Sequence, residues 1–114
     1  MNAQKFTQKS LEAIQDAQDI AIEHQNIQIE QEHLLYALIN QEGGLIGELL
    51  IKMNINNDQF KLKLEQIING MPRVTGPGRE AGKVYISNDV DRVLVDAENK
   101  ANRMRDEYVS VEHI

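Results

Sequence analysis

The chain has 114 residues, a formal charge of −6 and no cysteine. That length suits one domain with a modest core, and the lack of cysteine excludes a disulfide framework and a thiolate metal site, which fits a reducing cytosol. The acidic balance argues against a nucleic-acid backbone as main partner, and 4% aromatics with no tryptophan leave little for stacking bases or sugars.

The N-terminal run MNAQKFTQKSLEA has lysines but no apolar stretch behind them, and nothing downstream is long and apolar enough to span a bilayer. Neither export nor membrane insertion is expected. Thr7 offers a hydroxyl cap, after which Leu11, Ile14, Ala17 and Ala21 repeat at helical spacing to about His24. The small Ala17 and Ala21 allow a neighbouring helix to approach closely. A connector over 25–29 is expected to dock Ile27 and Ile29. A second helix follows from about Gln31 to Asn40; with Leu34, Leu35, Leu38 and Ile39 it has almost no wet face, so we expect it to be the most buried. Leu34, Leu35 and Leu38 should centre the core.

Gly43-Gly44 breaks that helix, and a third places Leu45, Ile46, Leu49, Leu50 and Met53 on one side, with Asn54 at a left-handed cap. Asn56 or Asn57 caps a fourth helix carrying Phe60, Leu64, Ile67 and Ile68, which Gly70 ends and Pro72 keeps from resuming. Both prolines and three glycines fall within 72–85, which reads as an irregular linker. Val84-Tyr85-Ile86 is extended before Ser87 caps a fifth helix bearing Val90, Val93, Leu94, Ala97, Ala101 and Met104. No segment calls for a sheet, so the fold class is all-α.

The fifth helix repeats the first. Residues 7–34 align without a gap on residues 87–114: Thr7 stands opposite Ser87, and Asp16-Ala17, Ala21 and Glu32-His33 recur as Asp96-Ala97, Ala101 and Glu112-His113. Apolar residues match at Ile14 and Leu94, Ile29 and Val109, Leu34 and Ile114. We therefore expect one domain of two pseudo-repeats: a first repeat at 1–71, a Gly/Pro linker at 72–86 and an incomplete second repeat at 87–114. On that expectation the chain belongs to something longer, and Val90, Val93, Leu94, Ala97 and Met104 lose cover that a further helix would give.

Two motifs tempt a catalytic reading. Gly76 to Lys83 looks like a phosphate-binding loop, but five residues separate Gly76 from Gly82, three separate Gly78 from it, and Val84 stands where a hydroxyl belongs. The two Glu-His pairs suggest a metal, yet neighbours on an α-helix point about 100° apart and the spacing of zinc helices is absent. The glutamates read as partners of the helix dipole instead. We expect no cofactor, no metal and no catalytic residue.

FTQKSLEAIQDAQDIA, then EHLLYALINQEGG, MPRVTGPGREAG and a closing DEYVSVEHI together resemble the Clp N-terminal repeat domain, over essentially the whole chain. The wording is similar to the disaggregase branch of the Clp chaperone ATPases. This resemblance implies an all-helical bundle of two four-helix repeats, the second incomplete here. It also implies a non-catalytic role: engaging misfolded or aggregated polypeptide for a hexameric motor whose ATPase modules, with their ATP and magnesium, lie elsewhere. The domain itself is then expected to be monomeric and cytoplasmic. By motif, the family's substrate-handling positions fall on Thr7, Asp106 and Glu112. The rival implied reading is an adaptor-docking domain of a Clp protease ATPase.

Overall fold

Thr7 and Ser87 each start a helix by the same device. The Thr7 hydroxyl accepts the Ser10 amide at 3.2 Å, and the Ser87 hydroxyl accepts the Val90 amide at 3.1 Å, which satisfies one of the four amides a helix start leaves unpaired. The computed structural model describes residues 3–73 and 84–114, and the near-miss loop from Gly76 to Lys83 lies outside them. Five helices are seen: α1 (Gln8–Glu23), α2 (Gln31–Asn40), α3 (Leu45–Lys52), α4 (Asn57–Asn69) and α5 (Asn88–Arg103), with 3-10 turns at Ala3–Lys5 and Val111–His113. Among the described residues there is no strand, only three isolated bridges.

The core is built on small residues. Ala13, Ala17 and Ala21 of α1 are fully buried, as are Leu94, Ala97 and Ala101 of α5, and Leu34, Ala37 and Leu38 of α2 join the same cluster. Alanines at helical spacing let backbones approach, and the larger Phe6, Ile29, Val90 and Val109 fill what remains. α2 packs on α1, α3, α4 and α5, and the Tyr36 hydroxyl donates to Glu65 of α4 at 2.5 Å.

Bonds between the N-terminal half and the region after Val84 come in matched pairs. The Thr7 amide donates to Val109 O and the Ser87 amide to Ile29 O, each at 2.9 Å. Val109 N donates back to Lys5 O at 2.6 Å, and Ile29 N to Tyr85 O at 2.9 Å. Phe6 bridges Val109 in parallel, and Ile86 bridges Ile29 in the same sense. The connectors after α1 and α5 match as well: Gln25 and Arg105 both hold positive φ, at 55° and 60°, and the Asn26 and Asp106 amides reach back to Ala21 O and Ala101 O at 2.9 Å. Each connector is thus hydrogen-bonded to the segment that leads into the other long helix.

Several sequence expectations need correction. Ile27 is not docked: it is 60% exposed, because the connector turns Ile29 inward to meet Ile86. Leu35 is only half-buried, whereas Leu34 and Leu38 are buried in the core as expected and α2 carries the largest share of buried residues of the five helices described. Val90, Leu94 and Ala97 keep full cover, since Phe6, Val109 and residues of α1 belong to their cluster; Val93 is half-buried, and Met104, just past the end of α5, is 62% exposed. α3 has no buried residue at all.

Candidate functional site

The start of α1, the turn after α2 and the 3-10 turn Val111–His113 meet around a groove of about 470 Å³. Thr7, Gln8 and Lys9 form one wall, Gln41, Gly43, Gly44 and Leu45 another, and Ser110, Val111 and Glu112 the third. The Gln41 amide donates to Lys9 O at 2.9 Å and ties the first two walls together. Gly44 sits tightly in this turn: a Cβ there would stand 3.0 Å from both Cβ and O of Gln41, so the turn would have to shift by a few tenths of an ångström to take one. Gly43 carries the turn at φ 63°, where side chains are strained.

Thr7 and Glu112 therefore line one groove. The Thr7 hydroxyl accepts from the Ser10 amide and donates to Ser10 Oγ at 3.0 Å, while Ser10 Oγ donates to Val109 O at 3.2 Å. The cap of α1 is in this way wired to the segment that carries Glu112. Asp106 does not line the groove but stands next to it: one ligand atom each of Asp106, Glu112 and His113 lie within 4.8 Å of one another. Asp106 and Glu112 are exposed, and Glu112 sits in the first turn of its 3-10 segment.

The approach of Glu112 and His113 departs from the expectation for adjacent residues on an α-helix. The segment is a 3-10 turn, and the third member, Asp106, comes from the connector. The ring chemistry still opposes a metal. His113 Nδ1 accepts the Ser110 amide at 2.9 Å, so the proton is on Nε2, which donates to Asp106 Oδ2 at 2.8 Å. A metal on Nε2 would move that proton to Nδ1, against a backbone N–H. Its counterpart His33 is fully buried; Nδ1 accepts the Glu30 amide and Nε2 donates to Asn26 Oδ1, both at 2.8 Å. Burial holds the His33 imidazole below its ordinary pKa of 6.5; Glu32 pulls it up and His24 adds to the depression.

Beside the groove, α3 and its C-cap Met53 present apolar side chains to solvent. Leu45 is 38% exposed, Leu49 44%, Ile51 64% and Met53 65%. The sequence puts Leu45, Ile46, Leu49, Leu50 and Met53 on one side of this segment, yet none of α3 is fully buried. The missed signal was its composition: LIGELLIK is apolar nearly all round, so eight residues cannot bury every side. The bond between His113 and Asp106 has no signal in the sequence, because the pair is joined through a connector whose path periodicity does not reveal.

The model of the Clp repeat (R) N-terminal domain matches residues 5–114. This chain belongs to that family. The Clp N-terminal domain described here is 38% identical over 114 residues to the chaperone protein ClpB of Bacillus anthracis and 41% identical to that of Nitratidesulfovibrio vulgaris. Each match covers 100% of this chain and 13% of the relative, so the chain spans about an eighth of the relatives' length. The Hsp104 N-terminal domain of Candida albicans superposes with a TM-score of 0.83 at 22% identity, covering 96% of this chain and 69% of that one. The N-terminal domain of the caseinolytic protease associated chaperone ClpD of Arabidopsis thaliana gives 0.72 at 21% identity, covering 99% and 74%. The all-helical fold is thus that of the Clp N-terminal domains, a non-catalytic part of chaperones. Among the described residues no single helix is long and apolar enough to cross a membrane.

Proposed function

We propose that this domain engages exposed segments of misfolded or aggregated polypeptide for a ClpB-type ATP-dependent disaggregase, in the cytoplasm. The observation that carries the reading is the exposed Leu45 in the wall of a groove whose polar rim includes Thr7 and Glu112, with Leu49 exposed one helical turn further along α3. Misfolded chains share exposed apolar side chains and little else, so a general receptor needs apolar surface with polar groups at its edge. Thr7, Asp106 and Glu112 are the residues we assign to substrate. ATP and magnesium belong to ATPase modules outside the domain, where hexamer assembly also resides, and the domain itself acts as a monomer. The two-repeat division, 1–71 and 87–114 about a 72–86 linker, is supported by the paired hydrogen bonds. Adaptor docking in a Clp protease ATPase is the less supported alternative, because the relatives of 38% and 41% identity are ClpB chaperones.

The test is an NMR titration of the labelled chain with reduced, carboxymethylated α-lactalbumin, a permanently unfolded polypeptide. Shifts should cluster on Thr7, Leu45, Leu49 and Glu112, and Asp106→Ala with Glu112→Ala should weaken binding by about tenfold, the effect of one or two lost polar contacts. Absence of saturable shifts, or shifts confined to α4, would remove the reading.

A further inference from the structure

The two histidines form an internal comparison. His33 and His113 hold equivalent places, and each accepts the backbone amide of the residue three before it through Nδ1, Glu30 in one case and Ser110 in the other. Each then donates through Nε2 at 2.8 Å to the side chain that follows the positive-φ residue of its connector. In the first repeat that acceptor is the neutral Asn26, 2% exposed and also bonded to Pro72 O at 3.4 Å. In the second it is Asp106, a carboxylate with a side chain 42% exposed. The fold needs an acceptor here, and an amide meets that need. A carboxylate adds a charge at the surface, next to Glu112.

We infer that His113 is a positioning residue: its Nε2–H fixes Asp106 through Oδ2 and so presents the other carboxylate oxygen beside Glu112 at the rim of the groove. Among the described residues Oδ1 has no hydrogen-bond partner. A free surface aspartate samples several rotamers, and each contact it makes costs rotamer entropy. An aspartate already held by a buried imidazole has lost that freedom beforehand. His113 is 3% exposed and fixed by the Ser110 amide, so it is a rigid anchor. This inference rests on the assignment of Asp106 to substrate, and it names the group that makes the assignment effective.

The experiment uses three variants of the 114-residue chain: His113→Leu, which removes both ring bonds; His113→Gln, which keeps a donor toward Asp106; and Asp106→Asn, which rebuilds the neutral arrangement of the first repeat. Side-chain couplings of Asp106 report its rotamer, and titration with carboxymethylated α-lactalbumin reports binding. We expect one Asp106 rotamer in the parent chain, averaging in His113→Leu, and a return to one rotamer in His113→Gln. Binding should fall about fivefold in His113→Leu and recover to within about twofold in His113→Gln, the scale of one oriented charge-assisted bond at a surface. Asp106→Asn should fold like the parent, since Asn26 already makes this bond, and His113→Leu should weaken Asp106→Asn no further. An Asp106 rotamer unaffected by His113→Leu overturns the inference whether or not polypeptide binds. Independent, multiplying losses from positions 106 and 113 overturn it as well. If the parent chain does not bind, the proposed function fails while the rotamer measurement still decides the role of His113.

Discussion

Thr7 and Ser87 do the same structural work, but only Thr7 lines the groove. Replacing either by alanine removes one helix cap and should cost about 1 kcal/mol in a denaturant melt. Thr7→Ala should also weaken binding of unfolded polypeptide, while Ser87→Ala should leave it unchanged; equal effects on binding would reduce Thr7 to a cap. His33 gives a pH prediction of defined sign. Its folded pKa is lowered, chiefly by burial, so below pH 6.5 the unfolded chain takes up a proton that the folded chain refuses. The stability from neutral His33 is complete above pH 6.5 and is lost as pH falls from there toward the folded value. Urea melts from pH 7.5 to 5 should show that loss in the parent chain and a shallower one in His33→Gln. Identical slopes would show that the imidazole is not held neutral by the fold.

At the scale of helices, burial divides residues that look alike in sequence. Leu38 is 5% exposed and Leu49 44%. Leu38→Ala should cost about 2–5 kcal/mol, as cavities in packed cores do, whereas Leu49→Ala should stay within about 0.5 kcal/mol. Thermal or urea melts decide between them, and a loss above about 1 kcal/mol at Leu49 would mean that α3 is part of the core after all. The helices themselves were legible: caps at Thr7, Asn56 and Ser87, the left-handed Asn54 and the stop at Gly70 stand where local chemistry puts them. Local signals suffice there because caps and turns depend on neighbouring residues. What periodicity could not give was which apolar face finds a partner. Ile27 and Leu35 have the same apolar character as Ile29 and Leu34, and only the path of the chain decides that the first pair is less covered. The candidate residues Thr7, Asp106 and Glu112 come from the family resemblance, and the geometry that joins two of them was not legible in the sequence. Thr7 and Glu112 share a groove because Val109 bonds to the segment that leads into α1, a contact between distant parts of the sequence.

Across the whole molecule, the crossed hydrogen bonds make each long helix depend on the connector of the other. The Thr7 amide bonds to Val109 O, and the Ser87 amide to Ile29 O. Neither bond survives if one half opens alone, so both amides should exchange with deuterium only through a shared opening. We expect their exchange free energies to agree within about 0.5 kcal/mol, the tolerance typical of a single cooperative unit. A gap of several kcal/mol, measured by native-state exchange in low denaturant, would show that the halves open separately.

The same crossing bears on how such a chain could arise. Phe6 meets Val109 and Ile86 meets Ile29, so with the offset of 80 the same two positions, 6 and 29, meet both times. Two identical single-repeat chains would satisfy every one of these contacts reciprocally, through one self-complementary patch on each. That is the isologous contact of a two-fold homodimer. Joining the two subunits end to end would turn an association that depends on concentration into one that does not. It would also free the copies to diverge, and such a history would account for Asn26 as a neutral strut and Asp106 as a charged surface group in equivalent places.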